Sequence, residues 1–146
     1  MAVPEKLDQL LAIEAIKSLK ARYFRCMDTK DWQGLGECFS EDLDADFTDA
    51  PGPHINGRAE YIAMISETLK DAETVHHGHM PEITLLSETE AEGIWAMDDI
   101  VRMPGMTLKG WGHYHERYRF EDQGWVISHI RLTRLILDMD GDAGSA

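Results

Sequence analysis

The chain has 146 residues, which is enough for one domain that buries roughly two-thirds of its unfolded surface and leaves room for one pocket. With 43% hydrophobic and 28% charged residues, its composition is that of a globular domain. The net charge of −13 argues against nucleic acid and against an anionic membrane surface as partners, because both require a basic face. A small neutral or weakly polar molecule, or another protein, is the expected ligand.

Targeting and cysteine patterns point to the cytoplasm. No apolar run approaches the ~20 residues that span a bilayer, and residues 1–6 lack a basic segment followed by an apolar one. The two cysteines, Cys26 and Cys38, have neither a disulfide-framework nor a metal-binding spacing. We therefore expect a cytoplasmic protein with both thiols buried.

Two helices are predicted before the first strand. Apolar residues recur at three- and four-residue steps over residues 6–27, which predicts a long amphipathic helix. Asp31 is placed to cap a second, short helix that runs to Cys38. Alternation over residues 43–49 predicts a strand, residues 50–53 predict a turn, and helical spacing returns over residues 57–70.

The second half of the chain is predicted to be sheet. Four long strands are expected over residues 75–86, 90–103, 107–120 and 125–137, with a bulge or edge position at Pro81. The order α-α-β-α-β-β-β-β predicts an α+β fold with an antiparallel sheet. We expect a single domain over residues 1–146, with an ordered core over about residues 7–137 and a flexible tail over residues 139–146.

Four short pieces of sequence carry a family resemblance. They are Tyr23-Phe-Arg-Cys-Met-Asp28 before Lys30-Asp31-Trp32, Gly57-Arg58, Thr74-Val-His76-His77, and Gly112-His-Tyr114 followed by Gly124-Trp125. In order and spacing they resemble the SnoaL-like branch of the nuclear-transport-factor-2-like superfamily, which includes scytalone dehydratase, lindane dehydrochlorinase and bile-acid 7α-dehydratase. The resemblance implies a cone-shaped, curved antiparallel or mixed sheet around the first helix, with the active site at its open end. It also implies a homodimer or homotrimer.

The predicted catalytic pair is Asp28 and His76. Successive side chains of a strand point to opposite faces, so His76 lies on one face and His77 and His79 share the other. The resemblance pairs the aspartate that ends the first helix with the histidine of the strand. A carboxylate on one imidazole nitrogen fixes the tautomer and leaves the other nitrogen as a base. The alternative is a helix-end aspartate and a core histidine that is bonded to backbone.

Tyr23 is the third predicted catalytic residue. Members of the family place a tyrosine or lysine one and a half turns before the aspartate, and this position is Tyr23. The resemblance implies that its hydroxyl bonds a substrate oxygen and helps to protonate a leaving hydroxyl. The alternative is a core tyrosine whose hydroxyl lies at the rim of the cavity.

The predicted substrate wall comes from strand alternation combined with the resemblance. Asp99 is expected to face inward and to orient the substrate or assist proton transfer, since an unpaired inward carboxylate is costly. Arg131 is expected to close the pocket and hold a negative oxygen, although a strand arginine often pairs at the surface instead. Such a wall suits an aromatic or polycyclic ligand, unless its apolar members are plain core. The predicted wall consists of Tyr114, Trp95, Met97, Asp99, Phe47, Arg131 and Met80.

A metal site is the competing interpretation of the histidines. His77 and His79, like His113 and His115, share one face of a strand, which is a geometry that can hold zinc. The resemblance places both pairs outside the cavity, and no Cys or Glu completes a motif, so no metal is predicted. Surface, interface and metal-binding roles remain open for these four side chains.

The sequence therefore predicts a cofactor-free lyase, in the first place a dehydratase, that uses His/Asp acid–base catalysis. Its expected substrate is small, hydrophobic, hydroxylated and aromatic or ring-containing, as in the catabolism of aromatic compounds. A deformylating carbon–carbon lyase, a dehydrohalogenase and an isomerase are alternatives, and so is a non-catalytic ligand-binding or dimerising module. Phe47 stands where the dehydratases have one of two paired tyrosines, which argues against a water-mediated syn-elimination.

Overall fold

The computed structural model describes residues 3–122 and 124–141. Its helices are α1 (Val3–Asp28), α2 (Trp32–Glu37) and α3 (Arg58–Leu69). None of the helices in this described part is both long enough and apolar enough to cross a membrane. Its strands are β1 (Phe39–Asp46), β2 (His54–Asn56), β3 (Glu73–Leu85), β4 (Glu90–Met103), β5 (Met106–Glu121) and β6 (Gly124–Gly141).

All six strands join one curved, unclosed sheet in the order β2-β1-β6-β5-β4-β3. β1 and β6 run parallel, and the other neighbours are antiparallel. The predicted α+β class and the meander of four long strands are confirmed. The short strand β2 was not predicted, because three residues after a Pro-Gly-Pro turn carry too little alternation to be recognised.

Helix α1 packs against the concave face of the sheet through one stripe of side chains. Ile16, Leu19, Tyr23 and Met27 recur at three- and four-residue steps and are all buried. The predicted cap of α2 is present, because the Asp31 side chain accepts a hydrogen bond from the Gly34 backbone N–H at 2.9 Å. The N-terminal turns of α1 extend beyond this core and leave their leucines exposed.

The predicted bounds of two strands are wrong. The first strand covers Phe39–Asp46 instead of residues 43–49, and the last strand continues to Gly141 instead of ending at residue 137. Residues 139–141 were predicted to be tail, but they pair with residues 106–108 of β5. The rest of the predicted tail, residues 142–146, lies outside the described residues.

A bulge in β6 changes which side chains face the interior. Tyr118 pairs with Ile127 whereas Arg117 pairs with His129, so that Ser128 is an extra residue in β6. The buried side chains of β6 are odd-numbered before this bulge and even-numbered after it. An uninterrupted alternation from the start of the strand therefore predicts the wrong face for residues 129–134.

A second irregularity lies in the edge strand β3, at the bulge or edge position predicted for Pro81. The pairing of β3 with β4 shifts between His79 and Glu82. Met80 lies in this shift with a φ of +21°. Thr74, His76 and Gly78 therefore face α1, while the alternation stops before it reaches Met80.

Candidate active site

The carboxylate that ends α1 is bound by three donors of β3. His76 Nδ1 lies 2.7 Å from Asp28 Oδ1, the Thr74 hydroxyl donates to the same oxygen at 2.9 Å, and the backbone N–H of His76 donates to Oδ2 at 2.8 Å. An ionised carboxylate only accepts hydrogen bonds, so the proton of the imidazole belongs on Nδ1. Nε2 is then left as the basic nitrogen. The predicted Asp28–His76 contact is thus present in the fold.

The other side of the imidazole faces a second, buried carboxylate. Asp99 Oδ2 lies 3.9 Å from His76 Nε2. Arg134 holds Asp99 with two hydrogen bonds, from Nη1 to Oδ1 at 2.6 Å and from Nη2 to Oδ2 at 3.0 Å. A Cβ on Gly110 of β5 would overlap Arg134 and lie 2.6 Å from Asp99 Oδ1. The absence of a side chain at Gly110 therefore makes room for the Asp99–Arg134 pair.

The arginine of the site is Arg134, and the prediction of Arg131 is wrong. The Arg131 side chain is 45% exposed and pairs with Asp49 at 3.0 Å on the outer face of the sheet. The bulge at Ser128 is the reason, because it turns Arg131 outward and brings Arg134 inward. Arg134 Nε is buried and has no acceptor among the described residues, so the guanidinium that holds Asp99 has a hydrogen-bond donor left over.

Four predicted wall residues face the interior, and Met80 does not. Trp95, Met97, Tyr114 and Asp99 are buried on the concave face, as strand alternation and the family resemblance together predicted. Met80 is 92% exposed and lies outside the wall, since the shift in β3 turns it away.

Phe47 follows the end of β1 and is half-buried. Its ring stacks on that of Tyr61 with 6.0 Å between the centroids.

Tyr23 belongs to a group of three buried tyrosines. Its ring meets that of Tyr114 edge to face, with 6.0 Å between the centroids, and Tyr61 lies close enough to influence its pKa. Burial raises the pKa of each of the three phenols above its ordinary value, so all three are neutral hydroxyls at physiological pH. Tyr61 was not predicted, because a single tyrosine on the apolar stripe of α3 reads as core.

Sequence reasoning also missed a buried ion pair between α1 and β5. Lys20 Nζ lies 2.6 Å from Glu116 Oε2, and both side chains are fully buried. The position of Lys20 on the apolar stripe of α1, between Ile16 and Tyr23, was the available indication, because a lysine there needs an interior partner.

Comparison with known proteins identifies the family. The sequence profile of the SnoaL-like domain matches residues 8–131, which is most of the chain. The chain belongs to the SnoaL-like domain family. The resemblance carried by the four sequence pieces is therefore confirmed.

This SnoaL-like chain is similar to proteins whose names describe different activities. It is 25% identical to the probable cyclase FGR4 of Gibberella zeae, over 85% of this chain and 91% of that one. A scytalone dehydratase candidate from Novosphingobium aromaticivorans shares the fold with a TM-score of 0.84 at 22% identity, over 91% and 90% of the two chains. Hexachlorocyclohexane dehydrochlorinase LinA-type3 from Novosphingobium barchaimii superposes with a TM-score of 0.80 at 14% identity, over 92% and 94%. At these identities the two structures establish the fold.

The remaining histidines of β3 and β5 of the SnoaL-like domain lie on its outer face. His77 and His79 both contact Asp98, at 3.1 Å and 3.0 Å. On β5, His115 contacts the Thr133 hydroxyl at 3.2 Å, and His113 lies on the same face. Within residues 3–122 and 124–141, no group of three or more His, Cys, Asp or Glu side chains is arranged to hold a metal ion.

A cleft of about 1390 Å³ lies elsewhere on the SnoaL-like domain. It is bordered by α1, α2 and the β5–β6 turn, and it includes neither Asp28 nor His76, Asp99 or Arg134. We assign the candidate active site on chemistry instead of cleft size, because His76 contacts one carboxylate through Nδ1 and faces a second, arginine-bound carboxylate through Nε2. Solvent reaches this site from the end of α1, where 22% of the Asp28 side chain is exposed.

Proposed function

We propose that the protein is a cofactor-independent lyase that dehydrates a small, hydrophobic, hydroxylated ring substrate. The observation that carries the proposal is the buried imidazole of His76, which Asp28 holds at Nδ1 while Nε2 faces the Asp99–Arg134 pair. A base with a fixed tautomer, next to a guanidinium that can hold an oxyanion, matches elimination beside a carbonyl group.

In the proposed reaction, His76 Nε2 takes a proton from the carbon next to the substrate carbonyl. The Nδ1–H bond to Asp28 stabilises the imidazolium that forms, and Arg134 Nε donates to the enolate oxygen. The enolate electrons then form the carbon–carbon double bond as the carbon–oxygen bond of the hydroxyl group breaks. The leaving hydroxide takes the proton of the imidazolium, so that one water leaves and the base is regenerated.

Tyr23 is assigned the support of the leaving oxygen. Its phenol is neutral and therefore a hydrogen-bond donor throughout the reaction, and its ring packs against that of Tyr114. Asp99 is proposed to hold Arg134 in place and to orient the substrate. Trp95, Met97 and Tyr114 are proposed to form the wall against which the ring packs, with Phe47 at its edge.

The family supports this class of reaction. The scytalone dehydratase candidate and hexachlorocyclohexane dehydrochlorinase, both with this fold, carry names of enzymes that eliminate a small group. We also propose a cytoplasmic homodimer or homotrimer that acts in the catabolism of aromatic compounds. A non-catalytic ligand-binding module is the alternative from another functional class, since such a module would have the same fold but no catalytic activity.

A cyclase is the second candidate function, because a relative at 25% identity over most of both chains is named a probable cyclase. The same proton abstraction by His76 would give a carbanion that attacks a carbonyl carbon of the same molecule. A new carbon–carbon bond would then close a ring, and the carbonyl oxygen would take a proton to become a hydroxyl group. Cyclisation by this route releases no water, so the release of water distinguishes dehydration from cyclisation.

The test is a panel of cyclic and open-chain β-hydroxy carbonyl compounds, incubated in D₂O and followed by NMR and mass spectrometry. We expect deuterium exchange at the carbon next to the carbonyl, loss of one water from at least one ring compound, and neither event with His76→Ala. His77→Ala is the matched control, because it removes an exposed imidazole from the next residue. Binding without exchange, or exchange that persists in His76→Ala, would contradict the proposal.

A further inference from the structure

The buried lysine of α1 is part of a hydrogen-bond chain that crosses the interior. Lys20 Nζ donates to Glu116 Oε2 at 2.6 Å, and the Tyr118 hydroxyl donates to Glu116 Oε1 at 2.7 Å. The indole N–H of Trp95 donates in turn to the Tyr118 hydroxyl at 2.8 Å. Both carboxylate oxygens of Glu116 are thus occupied, and the network links α1 to β4 and β5.

The same ammonium lies over the faces of two site tyrosines. Lys20 Nζ is 3.7 Å from the ring centroid of Tyr23 and 3.6 Å from that of Tyr114. The two rings meet edge to face, with centroids 6.0 Å apart and an angle of 82° between their planes. Phe24 adds a weaker contact, with its centroid 4.8 Å from Nζ. A cation this close to two π-faces is attracted to both.

Stability alone does not account for this arrangement. Moving two charges out of water is costly, and well-packed apolar residues in place of a buried ion pair are often neutral or stabilising. Burial lowers the pKa of Lys20, and the neighbouring Glu116 carboxylate opposes that shift. What the pair supplies and apolar side chains cannot is a fixed cation between two rings, with both rings held at defined angles.

We propose that Lys20 is a positioning residue that acts through Tyr23. Its ammonium, fixed by Glu116, holds the rings of Tyr23 and Tyr114 at their edge-to-face angle and so fixes the position of the Tyr23 hydroxyl. The inference rests on the proposed catalytic role of Tyr23. It adds that this role depends on the buried charge of Lys20, which does not contact the substrate.

The activity test is a double-mutant cycle. Lys20→Met/Glu116→Gln replaces the ion pair by neutral side chains of similar shape and keeps an acceptor for Tyr118. We expect this variant to lose at least ~10-fold in kcat with KM within about twofold of wild type, since small misplacements of a reacting group are costly. Tyr23→Phe should then cause no further loss in the variant, although it lowers kcat in the wild type. Lys17→Met is the control, because Lys17 is an exposed lysine of α1 paired with Glu14.

If Lys20 had only a structural role, the double-mutant cycle would give a different result. If Lys20 only fills the core, Tyr23→Phe lowers kcat by the same factor in both backgrounds, and the proposal is wrong. The effects of groups that do not act through one another are additive in free energy.

The spectroscopic test needs no substrate and separates this inference from the proposed function. In wild-type protein, the Cε protons of Lys20 should be shifted upfield of those of the other lysines by the two rings, with the assignment made by Lys20→Met. The ¹³Cζ signals of Tyr23 and Tyr114 should move in Lys20→Met/Glu116→Gln and stay in place in Lys17→Met. A Lys20 signal among those of exposed lysines would overturn the inference, even if the double variant does not fold. An upfield signal in a protein without turnover would leave the ring contact intact and count against the proposed function alone.

Discussion

The two faces of the sheet carry histidine–carboxylate groups of opposite composition. On the inner face, one imidazole, His76, lies between two carboxylates, Asp28 and Asp99. On the outer face, one carboxylate, Asp98, lies between two imidazoles, His77 and His79. The contact distances are similar, at 2.7 Å for His76–Asp28 and 3.1 Å for His77–Asp98. Distance alone therefore does not distinguish a candidate site from a surface pair.

Burial and supporting hydrogen bonds make the difference. The His76 side chain is 9% exposed and that of His77 is 61% exposed. Asp28 also accepts from Thr74 and from a backbone N–H, so its position is fixed before any substrate arrives. Outside, water competes for every hydrogen bond and screens the charges, and such pairs contribute little. The inner group is thus preorganised, whereas the outer one is a set of solvent-exposed contacts.

The sharpest test of this comparison makes the same substitutions on the two faces of the sheet. We expect His76→Ala and Asp28→Asn each to lower turnover by at least ~10²-fold with the fold intact, because each removes part of the acid–base machinery. His77→Ala and Asp98→Asn should stay within about twofold of wild type, since their groups are solvated. Steady-state kcat/KM on a substrate found in the panel measures this. Equal losses on both faces would remove the distinction.

The two arginines of β6 give the next largest contrast. Arg134→Gln should lower the free energy of unfolding by about 3 kcal/mol, because it leaves the buried Asp99 carboxylate without its cation. Arg131→Gln should change it by less than ~0.5 kcal/mol, because the Arg131–Asp49 pair is exposed. Urea denaturation followed by circular dichroism measures both. Similar values for the two variants would show that the bulge at Ser128 does not set the inward face.

Removal of one of the hydrogen-bond donors that contact Asp28 should have a smaller effect on activity. Thr74→Val deletes the hydroxyl that donates to Oδ1, and we expect a loss of ~1 kcal/mol in transition-state stabilisation, or about fivefold in kcat/KM. Thr133→Val is the control, since its hydroxyl contacts His115 and a backbone carbonyl on the outer face. A Thr74→Val variant with full activity would mean that two donors are enough to fix the carboxylate.

The smallest effect is expected in the outer group around Asp44, which contacts His54 and His129. The hydrogen bond to Asp44 raises the pKa of the exposed His54. Because the folded-state pKa is raised, the stabilisation is complete below the ordinary histidine pKa and is lost as the pH rises through the folded value.

Asp44→Asn should therefore shift the pKa of His54 downward, as measured by ¹H NMR titration. Asp98→Asn serves as the control, because Asp98 contacts His77 and His79 instead and should leave the titration of His54 unchanged. An unchanged pKa of His54 in Asp44→Asn would show that water has already replaced the hydrogen bond between His54 and Asp44.

Several features followed from local sequence patterns. The three- and four-residue spacing located α1, and strand alternation put Trp95, Met97 and Asp99 on one face of β4 and separated His76 from His77 and His79, while the family resemblance decided which face is inward. These patterns were sufficient because the faces of long, regular elements are fixed by backbone geometry alone. The pairing of Asp28 with His76 is different, since the family resemblance suggested it and only the fold brings the two residues together.

Where regularity ended, prediction from sequence failed. Met80 and Arg131 were placed on the wrong face because one extra residue in a strand reverses every side chain beyond it. Arg134 was overlooked for the same reason. The apolar stripe of α1 indicated that Lys20 needs an interior partner, but no local pattern identifies a glutamate 96 residues away as that partner.

By itself, then, the sequence determined the fold class, most of the elements and the division of the Thr74–His79 segment between the two faces. Periodicity and side-chain chemistry are local properties, and they can be read along the chain. The tertiary structure decided that Arg134 and not Arg131 reaches the site, that Asp99 closes the second side of His76, and that Lys20 lies between two tyrosine rings. These outcomes depend on strand register and on contacts between distant segments, which are set only when the sheet curves around α1.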